Sequence, residues 1–255
     1  MEKPDHDTLV VAQFGARAAA YVASPVHAQG DDLRDVATLV TGHRSARVLD
    51  LGCGGGHVSF AVAPHVAEVI AYDLSEEMLG AVAAEATSRA LLNVSTRRGQ
   101  AESLPFESGD FDFVLTRFSA HHWYDAQAGL AEARRVLKPS GTAVFIDAIA
   151  PANVVLDTFL QSVELLRDPS HVRDYTADQW LHMLGAAGFA VTRSTQRRLR
   201  MDFASWIARM QTPEVRSSAI RSLQESASAP VAAYFELEPD GSFMLDTMAI
   251  EAGPV

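Results

Sequence analysis

The sequence predicts an α/β fold built on a seven-stranded, mostly parallel sheet. The last strand is antiparallel, helices cover both faces, a helical cap stands at the N-terminus, and helical insertions follow. Three observations predict this. The stretch from Val48 to Gly56, VLDLGCGGG, is a short apolar run, as in a strand buried on both faces, feeding glycines that only a tight turn accommodates. Short apolar runs then alternate with helical patterns as far as Pro151. Near the end, Asp240-Gly241 stands between two alternating segments in FELEPDGSFMLDTMAIEA, a hairpin signal whose second arm supplies the antiparallel strand. A buried strand, a glycine turn and a helix in that order form a Rossmann-like site for a nucleotide-type cofactor.

Composition bounds the rest. At 255 residues, with 48% hydrophobic and 21% charged residues, the chain suits one α/β domain. Residues 1–44 form the helical cap, 45–150 the cofactor-binding core, 151–188 an insertion over the substrate pocket, and 189–255 the last strands and helices. A net charge of -11 disfavours a nucleic-acid partner, because such affinity comes largely from Lys and Arg displacing counterions. The single cysteine, Cys53, lies inside the glycine turn, so neither a disulfide framework nor a cysteine metal cluster is expected. No apolar run approaches the roughly 18 residues of a membrane span, and the polar, acidic start MEKPDHDTLVV has no signal-like segment. A soluble, cytoplasmic protein with no membrane partner is expected; the oligomeric state is left open.

The elements follow in order. Thr8 to about Ala23 is helical, with Val11, Phe14, Ala18 and Tyr21 three to four apart, and Ser24-Pro25 breaks it. Asp31 or Asp32 to Leu39 is a second helix with acids in its first turn. After the glycine turn, Val58 to Ala63 is the first crossover helix, stopped by Pro64, and Val66 to Tyr72 the second strand, closing at Asp73. Ser75 caps a helix running to about Arg89, with Glu76 and Glu77 in its first turn. Asn93 to Arg98 and Phe111 to Thr116 are the third and fourth strands, Leu130 to Leu137 a helix stopped by KPSG, and Thr142 to Ile149 the fifth strand, with Asp147 near its carboxyl end. Val154 to Leu166 is amphipathic, and Thr176 with Gln179 forms a capping box for a helix up to Gly188. Phe189 to Met201 is the sixth strand; Phe203 to Met210 and Glu214 to Ser226 are helices, with Trp206 in the core.

The glycine turn discriminates between cofactor classes. A dinucleotide fingerprint has Gly at its first, third and sixth positions; counted from Gly52 the sixth is His57, so the glycine that permits close helix packing is missing there. The glycines fall at Gly52, Gly54 and Gly56, behind Asp50, a carboxylate that suits a ligand with a cationic group and repels a pyrophosphate. Twenty-three positions after Asp50, Asp73 ends the second strand, where such a fold places a carboxylate on ribose hydroxyls.

VLDLGCGGG resembles the first motif of the class I S-adenosylmethionine (SAM) methyltransferases, and RRVLKPSGTAVFIDAIAP resembles the family's later helix-turn-strand motif. The segment FGARAAAYVASPVH resembles the leading segment of the small-molecule, ubiquinone/menaquinone-biosynthesis type. The resemblance implies that the glycine backbone lies against the amino acid part of SAM and that Asp50 supports its amino group. It further implies that Leu74 packs on the adenine, with Met78 either beside it or, as its helical setting favours, in the helix core, and that Gln100 and Ala101 meet the adenine edge. Tyr21 would fold over the cofactor and Arg117 would border it; Phe14 is expected in the core. Gln100 departs from the family's commoner acid, but its carbonyl still accepts a hydrogen bond.

RFSAHHWYD, after the fourth strand, lies where the resemblance puts the transferring methyl. His121 and His122, beside Trp123 and Tyr124, are the candidates for proton removal, since imidazole titrates nearest neutral pH; alternatively one histidine holds loop backbone and the other contacts cofactor. Arg167, His171 and Arg173, with His122 and Trp123, are candidates for binding the acceptor, an anion in the case of the cations; the alternative is loop salt bridges with Asp168 and Asp174. The reaction implied is in-line displacement of the sulfonium methyl by a small organic acceptor, leaving S-adenosylhomocysteine and needing no metal. The nucleic-acid amino methyltransferase signature is absent, Thr116-Arg117-Phe118-Ser119 standing in its place. Two other readings stay open: a SAM-binding regulator without catalysis and a nicotinamide-dependent dehydrogenase.

Overall fold

The computed structural model describes residues 4–15, 18 and 30–255. Tyr21, expected over the cofactor, and the rest of its helix beyond Ala18 lie outside the described residues. Helix α1 is His6–Gly15 and α2 is Asp31–Val40; β1 is Arg47–Leu51, followed by α3 (His57–Val62), β2 (Glu68–Asp73), α4 (Glu76–Ser88), β3 (Val94–Arg98) and β4 (Phe111–Arg117). A short 3-10 turn, Ala120–His122, leads to α5 (Ala126–Val136), β5 (Leu137–Ala150), α6 (Val154–Arg167), the two-residue β6 (Tyr175–Thr176) and α7 (Ala177–Ala186). The chain ends with β7 (Phe189–Met201), α8 (Phe203–Met210), α9 (Glu214–Glu225), α10 (Ala229–Tyr234) and β8 (Phe243–Pro254).

The sheet runs β3-β2-β1-β4-β5-β8-β7, with β6 attached to β5. All pairings are parallel except those of β8, which is antiparallel to β5 and to β7. Strand order therefore reverses between β1 and β4, and the crevice beyond their carboxyl ends is where such sheets bind ligands. Strand alternation sets the layers: Val48, Phe113 and Leu115 face α2 and α3, whereas Leu49 and Val114 face α5 and α7, where Phe111 joins them because of the register shift that separates it from Phe113. Phe60 of α3 and Leu79 and Val82 of α4 extend the first layer over Ala71 of β2. A separate apolar cluster, with Leu160, Trp206, Ile220, Phe235 and Phe243, gathers α6, α8, α9 and α10 over the ends of β5, β7 and β8.

Several expectations need correction. The first arm of the expected C-terminal hairpin is not a strand: α10 ends at Tyr234, and the chain turns at Gly241 (φ +93°) before β8, whose antiparallel partners are β5 and β7. Polar-apolar alternation in FELEP marks a turn leaving a helix, with Met244 N–H donating to Phe235 O at 2.7 Å. Helix α5 starts four residues before the expected Leu130, because Asp125 caps it by accepting from Ala128 N–H. KPSG lies within β5, and Phe111 pairs with Leu137 across a register shift. Within 151–188, α7 buries Trp180 and Leu184 in the main core against Phe145 and Phe189, while Glu164, Arg167, Asp168 and Asp174 line a cavity. The Thr176-Gln179 capping box is present, as is the Ser75 cap. Among the described residues no helix is long and apolar enough to cross a membrane.

Candidate active site

The turn after β1 is built by left-handed backbone that favours glycine. Gly52, Gly54 and Gly56 have φ of +69°, +47° and +75°. A Cβ on Gly52 would sit 1.8 Å from Ser119 Oγ, so the β1 turn rests directly on the loop after β4. A Cβ on Gly56 would meet Phe60 and Val82 at 2.9 and 3.0 Å; Gly56 thus supplies the close helix packing that the sequence comparison looked for at His57. Asp73 braces the same turn, its Oδ2 accepting from Gly54 N–H at 2.9 Å and its Oδ1 from Ser75 N–H at 3.0 Å. Burial pushes the Asp73 carboxyl up from its ordinary value, and those backbone donors partly pull it back.

Asp50 is buried, and its Oδ2 accepts from Ser59 N–H and Oγ–H at 2.9 and 2.6 Å. Burial outweighs these bonds and lifts its carboxyl to about 7, a value that a cationic ligand group would lower. Beyond β3, Tyr72 Oη donates to Gln100 O at 3.0 Å, and the Gln100 amide nitrogen donates to Asp7 of α1. Together these residues line a cavity of about 140 Å³ with Leu74, Met78, Ala101 and Arg117, roofed by His6, Val10 and Phe14. All the sequence-predicted cofactor residues that are described, apart from Gly56, line it; Gly56 stands behind as packing.

A second cavity, of about 300 Å³, lies beside it. Phe14, Arg117, Phe118 and His122 line both, forming a common wall. Phe118 holds a left-handed backbone (φ +52°), a strained conformation for a bulky residue, fixed by its N–H to Ile146 O at 2.8 Å and by the Arg117 guanidinium 4.8 Å from its ring. Arg117 is itself tied to Asp32 of α2 at 2.5 Å.

The two histidines differ. His121 Nδ1 lies 2.5 Å from Asp147 Oδ1, and its backbone N–H donates to Asp147 Oδ2 at 3.2 Å. Burial opposes protonation, but the Asp147 charge and hydrogen bond win and raise its pKa to about 9. His122 Nδ1 lies 3.2 Å from Ser170 O, which can only accept, so Nδ1 carries the proton and Nε2 the lone pair. Burial and the adjacent His121 charge push the His122 pKa down, and it stays neutral. Its ring is 5.0 Å edge-on to Phe14, and His6 Nε2 meets its backbone carbonyl at 2.8 Å.

These geometries place a glycine turn, two strand-end carboxylates and a histidine-walled second cavity at one switch point. Residues 49–145 match the model of a family described as "Methyltransferase domain". Over 79% of this chain and 97% of the other, it is 46% identical to the uncharacterized protein YafE of Escherichia coli. It is 36% identical to the uncharacterized methyltransferase YcgJ of Bacillus subtilis over 81% of this chain and 82% of that one. The crystal structure of YcgJ superposes with a TM-score of 0.83, covering 87% of this chain and 97% of that one. The chain belongs to the class I SAM-dependent small-molecule methyltransferases.

The methyltransferase places the other predicted substrate residues unevenly. Trp123 lines the first cavity and is anchored by its Nε1–H to Ser119 Oγ at 3.1 Å. Arg167 lines the second cavity, paired with Glu164 at 3.3 Å and stacked on Trp206. His171 and Arg173 line neither. His171 is buried and donates from Nε2 to Gln161 Oε1 at 2.9 Å, with burial driving its pKa down to about 2, while Arg173 pairs with Asp157 at 2.6 Å. Missing from the sequence reading are the buried carboxyls of Glu164, Asp168 and Asp174, which face the second cavity of the methyltransferase. Glu164 reads as the polar side of an amphipathic segment and Asp168 and Asp174 as polar loop residues, and only their burial distinguishes them.

Proposed function

We propose that this methyltransferase holds SAM in the first cavity and passes its methyl to a small organic acceptor in the second. The observation that carries the reading is the common wall of Phe14, Arg117, Phe118 and His122, which sets two cavities side by side at the switch point. SAM, when bound, supplies an electrophilic methyl on a sulfonium. Asp50, buried and lifted to about 7, suits its ammonium; Asp73 keeps acceptor capacity beyond its two backbone bonds for ribose hydroxyls. Leu74 and Met78 offer an apolar face to the adenine, and the Gln100 carbonyl and Ala101 N–H its edge partners.

On the acceptor side, His122 Nε2 takes the proton that methylation releases, its tautomer fixed by Ser170. Asp168 Oδ2, 3.9 Å from Nε2, stabilises the imidazolium as it forms. Charged His121, locked on Asp147, holds the turn that carries His122. Alignment of nucleophile and methyl, with α1 excluding water, supplies most of the acceleration.

Calorimetric titration with S-adenosylhomocysteine and, in parallel, NAD tests the cofactor. Micromolar binding of the first alone is the expected result; failure of S-adenosylhomocysteine to bind would remove the methyltransferase reaction from consideration. For the acceptor side, His122→Gln is expected to lower kcat about a hundredfold, within the range of a positioned proton acceptor, and to leave S-adenosylhomocysteine affinity within threefold. An unchanged kcat, measured with methyl-labelled SAM, would take His122 out of the reaction.

A further inference from the structure

Among the acceptor atoms that line the second cavity, the buried ones without a hydrogen-bond partner all belong to two aspartates. Four guanidinium groups of its wall pair with carboxylates: Arg117 with Asp32, Arg167 with Glu164, Arg197 with Asp35 at 2.6 Å, and Arg198 with Asp246 at 3.0 Å. The carboxyls of Asp168 and Asp174 have no such partner among these cations. Asp168 and Asp174 are each 1% exposed; Asp168 Oδ2 and both oxygens of Asp174 have no hydrogen-bond partner, although Asp168 Oδ1 accepts from Ser170 N–H and Oγ–H. Burial, reinforced by Glu164, pushes the Asp174 carboxyl up, as expected of an acid lacking a bonded cation. A buried acceptor atom without a donor is costly, so a ligand in this cavity must bring N–H or O–H groups to these oxygens.

The spacing of two of these acceptors narrows the choice. His122 Nε2, the lone-pair nitrogen, lies 3.9 Å from Asp168 Oδ2. One atom within hydrogen-bond reach of both, at about 2.8 Å from each, would see them about 90° apart. A hydroxyl has one hydrogen and satisfies one of them; an amino nitrogen has two or three and satisfies both. His122 also lines the first cavity, so an atom held there stands at the passage between the two. The remaining wall is largely apolar, with Ile146, Leu199, Met201, Trp206 and Leu245.

We propose that the methyl acceptor is a primary amine on an apolar body, its nitrogen held between His122 Nε2 and Asp168 Oδ2 and its ammonium form drawn in by Asp174. This rests on the first cavity being the SAM site. The ammonium gives one proton to His122 Nε2, and the freed nitrogen lone pair attacks the sulfonium methyl. The C–N bond forms as the C–S bond breaks, its electron pair passing to sulfur. The products are the N-methylammonium and S-adenosylhomocysteine, and the proton on His122 leaves to solvent.

The test titrates the protein, saturated with S-adenosylhomocysteine, with 2-phenylethylamine, tryptamine and octylamine, and with the alcohol of matching skeleton for each. At least one amine is expected to bind tenfold or more tightly than its alcohol, and Asp168→Asn and Asp174→Asn are each expected to remove that preference while alcohol binding stays put. Turnover with methyl-labelled SAM should place the label on nitrogen by mass spectrometry. If no amine outbinds its alcohol, or if the preference survives in Asp168→Asn, the proposal is overturned. S-adenosylhomocysteine affinity, recorded in the same runs, reports separately on the cofactor reading, so the two failures are distinguishable. Circular dichroism of both variants controls for folding.

Discussion

Asp73→Ala is expected to weaken S-adenosylhomocysteine binding about a thousandfold. Two charge-assisted hydrogen bonds to ribose hydroxyls, each contributing about 2 kcal/mol, give about 4 kcal/mol, close to three decades of affinity. The turn suffers as well, because Gly54 N–H and Ser75 N–H both donate to this carboxylate and lose their acceptor in the variant. Asp73→Asn keeps the side-chain volume: the amide retains one acceptor oxygen and turns a donor on the other backbone N–H, so ribose and turn are both perturbed without a cavity being left. Calorimetry reads the affinity directly. A change of less than tenfold in Asp73→Ala would mean that the first cavity does not hold a ribose at this strand end.

Asp147→Asn should destabilise the fold by an amount that depends on pH. The carboxylate accepts from His121 N–H and Ala148 N–H and faces the His121 imidazole at 2.5 Å, all with little solvent access. The folded pKa of His121, about 9, is above its unfolded value of about 6.5, so the folded state binds this proton more tightly. The resulting stabilisation is complete below about pH 6.5 and disappears as pH rises through about 9, a total on the order of 3 kcal/mol. Asp147→Asn removes it, leaving a buried imidazole without its counter-charge. Urea unfolding of both proteins at pH 6 and pH 9.5 should show a gap on the order of 3 kcal/mol at the lower pH that narrows at the higher one. Comparing the two proteins cancels titrations not coupled to this pair. A gap of constant size would show that Asp147 acts through its backbone bonds alone.

The lining of the first cavity was largely legible in the sequence, because it is written in local signals. Positive φ demands glycine at Gly52 and Gly54, strands end where Asp50 and Asp73 stand, and Ser75 announces a helix by its side chain. Strand β7 falls on the Phe189–Met201 read from the sequence, since its flanks are a glycine and a capping Asp202. Where structure depends on distant partners the reading ran out. Two-residue β6 is too short to show a period, and FELEP alternates without pairing as a strand. Asp168 and Asp174 were expected at most as partners of nearby cations. Arg173 turns to Asp157 and Arg167 to Glu164 instead, and nothing local in LRDPSHVRDY says which carboxyls will be buried.

The separate apolar cluster formed by α6 and α8 to α10 has a consequence for how the enzyme can change over generations. The family match ends at residue 145, and the walls of the second cavity come largely from beyond it, from β5, β7 and β8 and from helices that have Leu160, Trp206, Ile220 and Phe235 as their own interior. Substitutions in that interior can reshape the second cavity while the glycine turn, Asp73 and their supporting layers stay as they are. If that cavity takes the acceptor, as proposed, selection can retune which molecule is methylated without rebuilding the first cavity. The wall that cannot drift freely is the one made by Phe118 and His122, because it belongs to both sides at once.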